Sequence, residues 1–392
     1  MAEKSNETKA NQPKKGKKVF GTLLSLGIGA LLGILVLWTL GLERMKEMEL
    51  GEFFFTFFAV FLSVFVWFFL HATLHEGGHL VCGLFSGYKF CFFRVGRFTL
   101  AKYPDGMKLK IFSIPGTGGQ CAMTPPAYND GNFPFRLYLS GGYLVNLVSA
   151  VILFVLFAVL GPTSFGGRML VLGGAVALYL VIINAIPFQS DMPNDGCQIK
   201  NMTKDRNERR AMWELLDFNA RLQQGTRVKE FEKDWEAKSN EELVAWCEGA
   251  KGISELTMRY SYLFDCERFA EAEDLISRLL KKGISVDLYR KLFLGEALYL
   301  ELLLHGRKEE IEKLATKEVL SFLTATASTL PSSVRTVYAY EKLYHHDEKA
   351  LAKAEKQFTN VVKNYPNLGE LKQEQMLKEK VDEVAKQRTE QE

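Results

Sequence analysis

Four stretches of this 392-residue chain carry no Asp, Glu, Lys or Arg and are long enough to cross a bilayer: Val19–Gly41, Phe53–His75, Leu137–Gly167 and Met169–Ser190. A helix rises about 1.5 Å per residue, so about 20 residues span a hydrocarbon core of about 30 Å. The third stretch exceeds one span, and Gly161-Pro162-Thr163-Ser164 divides it into a helix and a short loop. Trp38 and Trp67 lie near span ends, where indole rings favour the interface. The first stretch does not read as a cleaved signal peptide. Its apolar run exceeds the usual ~7–15 residues, and Leu42-Glu43-Arg44-Met45-Lys46 offers no small-x-small cleavage site.

Charge divides the chain in two. Residues 1–196 hold 27 Asp, Glu, Lys and Arg, and residues 197–392 hold 68. One half is written for lipid and the other for water. The near-neutral total of +3 argues against nucleic acid as a partner. Six scattered cysteines form no C-x-x-C pair and read as reduced thiols. Loop charges give an orientation. The lysine-rich tail 1–18 is expected inside, the acidic loop Leu42–Glu52 outside, and the basic segment between the second and third stretches inside. Both termini are then cytoplasmic.

The second stretch runs into His71-Ala72-Thr73-Leu74-His75-Glu76-Gly77-Gly78-His79. Four residues apart on a helix, His75 and His79 share a face and can reach one metal ion. Glu76, offset by one, can hold a water beside the metal instead of ligating it. This is the H-E-x-x-H signature of zinc hydrolases. Ionisable groups at bilayer depth cost about 2.5–3.5 kcal/mol each on insertion scales, and those that are kept usually mark function. His71 shares the face but reads as a neighbour, not a ligand. A metzincin continuation would need Gly at 82 and His at 85, where the chain has Cys82 and Phe85. A third ligand must come from elsewhere. The inner end of the fourth stretch offers Asp195, before Gly196, with Asp191 as rival.

Together these residues resemble the site-2 protease family of intramembrane zinc metalloproteases. That family pairs H-E-x-x-H with N-x-x-P and D-G on a later helix, here Asn184-Ala185-Ile186-Pro187 and Asp195-Gly196. Gly142-Tyr143-Leu144-Val145-Asn146 is similar to its G-P-x-x-N, and Gly118-Gly119-Gln120-Cys121-Ala122-Met123 to its G-G-x-x-x-M. The likeness covers about residues 52–200. It departs at Tyr143, where the family usually has Pro, and at Asn194, where an apolar residue is common. The resemblance implies Zn2+ held by His75, His79 and Asp195, with Glu76 as general base. It also implies substrate contacts at Asn146, Gly118 and Gly119.

Tyr88–Leu100 and Met107–Ile114 are rich in Phe, Val, Ile and Leu around a Pro104-Asp105-Gly106 turn, which predicts a β-hairpin. The resemblance makes it a membrane re-entrant hairpin whose edge receives substrate as an added strand. After Lys200 the pattern is helical and polar. Phe264, Leu304 and Tyr344, spaced by forty, suggest stacked helix pairs, tetratricopeptide-like, with an unrelated helical bundle as the alternative. The charged end, Lys372–Glu392, reads as a frayed helix.

The expected fold is an α-helical polytopic membrane protein of four spans with a small re-entrant β-hairpin, plus an all-α cytosolic domain. Its parts are a basic tail (1–18), a first span and external loop (19–51), a zinc protease membrane core (52–200, with the β segment at 88–114) and the cytosolic domain (201–392). The expected protein is a zinc-dependent endopeptidase in a bacterial cell membrane. It would cut a transmembrane segment of a membrane-tethered regulator, a peptide precursor or a signal-peptide remnant. The lipid bilayer and a membrane-protein or peptide substrate are the partners, with a further protein partner for the helical domain. The alternative is an inactive membrane-anchored scaffold that binds peptides or proteins through that domain.

Overall fold

A computed structural model describes residues 33–35, 39, 48–113, 117–161, 164–187, 193–235, 237–247 and 252–391. The first expected span, 19–41, lies outside the described residues apart from 33–35 and 39. Among the described residues three helices are long and apolar enough to cross a membrane: α1 (Leu50–Phe85), α2 (Phe135–Leu160) and α3 (Phe165–Ala185). The second expected span ends at His75, but α1 continues ten residues further because Gly77-Gly78 does not break it. It stops at Gly87, which takes a left-handed φ of 83°. Between α2 and α3 the expected break falls at Gly161, and Ser164 caps α3 by accepting from the Gly167 N–H at 2.9 Å.

The chain divides into two compact units. The first comprises Met1–His79 and Leu139–Lys200. Its helices turn apolar side chains outward: Phe55, Phe58 and Phe65 on α1 and Val151, Val155 and Val159 on α2 are all exposed. Water would penalise such a surface, whereas lipid matches it. Inside, Val60 and Leu172 are fully buried with Val64, Trp67 and Met169 around them.

The second unit comprises Leu80–Tyr138 and Asn201–Glu392. The β segment, expected with the membrane core, belongs here. It is also more than a hairpin. Strands β1 (Lys89–Val95), β2 (Phe98–Tyr103), β3 (Gly106–Ile111) and β4 (Gly119–Thr124) form an antiparallel sheet in the order β3-β2-β1-β4. The apolar run read as one strand is two, because Gly96, with φ 58°, turns the chain between them. One sheet face packs on helices of the C-terminal half. Tyr103 donates to the Pro366 carbonyl at 3.0 Å, and Phe112 is buried with Val334, Phe358 and Tyr365. On the other face Phe98, Leu100, Met107, Leu109 and Ile111 stay exposed.

The described part of the C-terminal half is mostly helical, beginning with α4 (Asp195–Lys204), α5 (Arg206–Gln223) and α6 (Asn240–Trp246). The forty-residue spacing marks three turns. Helices α7 (Ile253–Asp265) and α8 (Phe269–Lys282) join at Glu267. Next, α9 (Asp287–Leu304) and α10 (Lys308–Leu314) join at Gly306. After α11 (Lys317–Thr326), α12 (Pro331–Tyr340) and α13 (Glu348–Asn364) join at His346. All three turn residues have positive φ. The paired helices run 13 and 14, 18 and 7, and 10 and 17 residues, so the units are not copies of one another. The expected frayed end is instead part of a 24-residue helix, α14 (Leu368–Gln391). Leu371, Leu377 and Val381 bury one face of it, and Tyr299 donates to the Leu377 carbonyl at 2.8 Å.

Arg335 is buried between Glu296 and Glu374, with Nε 3.2 Å from Glu374. Burial pushes the Glu374 carboxyl up to about 8, against the pull of Arg335. A carboxyl raised above its unfolded value adds stability that is complete below pH ~4.5 and is lost as pH rises towards ~8. Thermal unfolding of this unit is therefore expected to fall between pH 5 and 8. Glu374→Gln should flatten that fall, and an unchanged slope in the variant would contradict the assignment.

Candidate metal centre

His75 and His79 stand one turn apart on α1, 8% and 7% exposed. The third donor comes from the start of α4. Asn194 precedes that helix and joins it to the end of α3. Its Nδ2 donates to the Ile183 and Ile186 carbonyls at 2.6 and 2.7 Å, and its Oδ1 accepts from the Cys197 N–H at 2.9 Å. One side chain thus closes the C-terminus of one helix and caps the N-terminus of the next. Asp195 follows as the first residue of α4, where the helix dipole favours a carboxylate. Gly196 explains the Asp-Gly pairing, since a Cβ there would sit 2.1 Å from the Ala185 carbonyl oxygen.

The three side chains converge. His75 Nε2 is 3.1 Å from His79 Nε2 and 3.2 Å from Asp195 Oδ2, and His79 Nε2 is 3.4 Å from Asp195 Oδ2. The side chain of Asp195 is 13% exposed. Three lone-pair atoms this close repel unless a proton or cation lies among them. Tetrahedral zinc with bonds of about 2.0–2.2 Å sets its donors about 3.3–3.6 Å apart, so the triangle lies within about 0.2 Å of the smallest such face. Two nitrogens and one carboxylate oxygen are donors that zinc accepts. His75 Nδ1 has no hydrogen-bond partner among the described residues.

The α1–α2 register places these groups. Gly78 meets the Gly141 carbonyl, and a Cβ on Gly142 would lie 2.5 Å from His75 Cε1. Small residues let membrane helices approach this closely. Gly142→Ala must therefore displace either the His75 ring or α2. If zinc is the ion these donors hold, its affinity is expected to fall about ten- to a hundredfold, the range seen when support around a ligand is lost. Unchanged affinity by competition with a zinc-binding dye would show that the ring tolerates the methyl group.

Of the other expected site residues, Glu76 is half-buried on α1, about 100° round from His75. Asn146 lies on α2, one turn past Gly142, and is fully buried. Gly118 and Gly119 belong to the second unit and enter β4. The Gly118 carbonyl accepts from the Gly96 N–H at 2.8 Å, and that of Gly119 from Arg94 at 3.2 Å. Asp191, the rival ligand, lies outside the described residues. A second cluster, Glu273, Glu301 and His305, also brings donor atoms within 4.8 Å of one another. There Arg307 already occupies Glu301 in a bidentate pair, so a cation would compete with a guanidinium. Sequence reading missed Asn194 as the positioning group. An Asn directly before the candidate ligand is an N-cap signal that could have found it.

Compared with protein-family models, with curated proteins and with solved structures, the chain finds no match. The functional reading therefore stands on the site itself.

Proposed function

We propose that this chain is an intramembrane zinc metalloprotease of the site-2 protease kind. The observation that carries the proposal is the triangle of His75, His79 and Asp195, whose edges of 3.1–3.4 Å come close to those of a zinc coordination face. Its position on helices with lipid-compatible surfaces favours a substrate within the membrane.

Bound to these donors, zinc would acidify a water and polarise a peptide carbonyl. Glu76 accepts the proton of that water and later passes it to the leaving amine. Asn146 donates its amide N–H to the scissile carbonyl oxygen and stabilises the charge that grows there. The substrate is a membrane helix that must unwind first, because a helical peptide bond hides its carbonyl in backbone hydrogen bonds. The exposed apolar face of β2 and β3 suits the re-entrant role expected of that segment. The first span at 19–41, the cytoplasmic placement of both termini and a partner for the helical half complete the proposal.

The test uses the full chain in proteoliposomes with zinc and synthetic transmembrane peptides, read by mass spectrometry. Endoproteolytic products should appear, vanish with 1,10-phenanthroline and return with added zinc. Products that persist under the chelator, or none from any membrane-inserted peptide, would overturn the proposal.

A further inference from the structure

Helix α5 carries its arginines in two ways. Arg210 and Arg221 each hold a carboxylate one turn away, Glu214 and Asp217, at 2.9 Å. Arg206, Arg209 and Trp213, at i, i+3 and i+7, share another face. That face meets the loop between β4 and α2, and all of these residues belong to the second unit. Trp213 Nε1 donates to the Pro126 carbonyl at 2.7 Å. Arg209 donates from Nε to the Met202 carbonyl at 3.0 Å, and from Nη1 to the Gly131 carbonyl and Asn132 Oδ1 at 3.2 Å each. The Arg206 guanidinium lies beside Gly131, where a Cβ would stand 4.0 Å from its Nη1. The loop is itself closed, since Asn129 and Asn132 exchange backbone hydrogen bonds of 3.0 and 2.9 Å. It runs into α2 at Phe135, whose ring centroid is 5.8 Å from Cζ of Arg136 and 5.4 Å from Cζ of Arg209.

Three guanidinium groups thus gather around residues 131–136. None of Arg136, Arg206 and Arg209 forms an ion pair with a carboxylate among the described residues, and Nη2 of Arg209 has no hydrogen-bond partner there. Arg136 and Arg206 are exposed and Arg209 is half-buried. Like charges brought together repel, and an anion among them turns that repulsion into attraction. The planar fork of a guanidinium fits phosphate oxygens two at a time.

The position in the chain says which phosphate. The 26 residues of α2, at about 1.5 Å each, make a helix about 39 Å long. The hydrocarbon core is about 30 Å thick, and about 40–45 Å with the headgroup layers, so the first turn of α2 lies among headgroups. Arg136 is in that turn, and Leu137 beside it is 46% exposed. A guanidinium followed by an outward alkyl side chain matches a phosphate with acyl chains beneath it. A soluble phosphate has nothing to set against Leu137.

We propose that Arg136, Arg206 and Arg209 form a binding site for the phosphate of an anionic phospholipid at the cytoplasmic end of α2. Arg209 is the fixed member, held by the loop. Arg136 and Arg206 have no other partner and turn to the phosphate when it arrives. A zwitterionic headgroup binds more weakly, because its own cation meets three guanidinium groups. The site ties α5 and the β4–α2 loop to the leaflet that carries negative charge. The inference rests on α2 as a membrane span and is independent of the metal centre.

Native mass spectrometry of the full-length protein in mild detergent counts bound lipids directly. The probes are phosphatidylglycerol and phosphatidylcholine with the same acyl chains, and inorganic phosphate as competitor. The proteins are wild type, the double variant Arg136→Gln/Arg206→Gln, and Arg210→Gln as control. An arginine at an anionic surface is worth roughly fivefold in affinity, so the double variant should bind the first phosphatidylglycerol about twenty-fivefold more weakly. Arg210→Gln should bind it as wild type does. Phosphatidylcholine should bind wild type about tenfold more weakly than phosphatidylglycerol, and millimolar phosphate should not displace the lipid. The Arg136 and Arg206 side chains make no hydrogen bond among the described residues, so thermal unfolding should be unchanged. If the double variant unfolds early, Arg136→Gln alone serves, with a loss of about fivefold. Equal binding by wild type and variant, equal weakening in Arg210→Gln, phosphatidylcholine bound as tightly, displacement by phosphate, or a wild type that binds no phosphatidylglycerol would each overturn the inference. None of these results depends on whether the protein holds zinc.

Discussion

Glu76→Gln is expected to keep its zinc and to lose cleavage by about 10²- to 10⁴-fold, the usual contribution of a positioned general base. The amide preserves the shape of the side chain and removes only its capacity to accept a proton. In the sequence Glu76 is the only acid between Glu52 and Asp105, so no neighbour along α1 can take over. On the helix it sits beside the two histidines without entering their triangle, as a base that acts on a water must. The comparison needs matched zinc content in both proteins. Cleavage within tenfold of wild type in a zinc-replete variant would remove Glu76 from the mechanism.

Asp195→Ala should have the second large effect, loss of the metal. The carboxylate supplies one corner of a three-donor triangle, and two histidines alone leave zinc with too few protein ligands for a stable site. Affinity is expected to fall by more than about a hundredfold, beyond what losing a group that merely orients a ligand costs. Asn194 can stay in place, because its bonds to Ile183, Ile186 and Cys197 do not involve Asp195. The helix start therefore survives and the loss is local. Asp191→Ala is the control and should retain zinc. The reverse pattern would show that the third ligand is misassigned.

What was legible in the sequence follows the range of the interactions. His75 and His79 could be read because helical periodicity is local, and the apolar spans because twenty residues decide them. Asp195 could be placed near them only through the motif, because its position depends on how α3 ends and α4 begins. His71 and Asn146, whose side chains meet between α1 and α2, lie 75 residues apart in the sequence. Their meeting depends on a helix–helix register that Gly78, Gly141 and Gly142 set by close approach, and no local pattern announces it. In the β segment one glycine turn inside an apolar run hid a strand boundary. In α14 the many Lys and Glu residues masked Leu371, Leu377 and Val381 at helical spacing. That the sheet would pack on the C-terminal helices was not readable, since Tyr103 and Pro366 are joined across 263 residues.

The central claim is that His75, His79 and Asp195 hold one zinc ion. The most direct measurement is metal content by mass spectrometry on purified full-length protein, for wild type beside His75→Ala and Asp195→Ala. One zinc per wild-type chain is expected, with far less than one in each folded variant. A wild-type protein that stays zinc-free after loading, or variants that retain a full equivalent, would contradict the account.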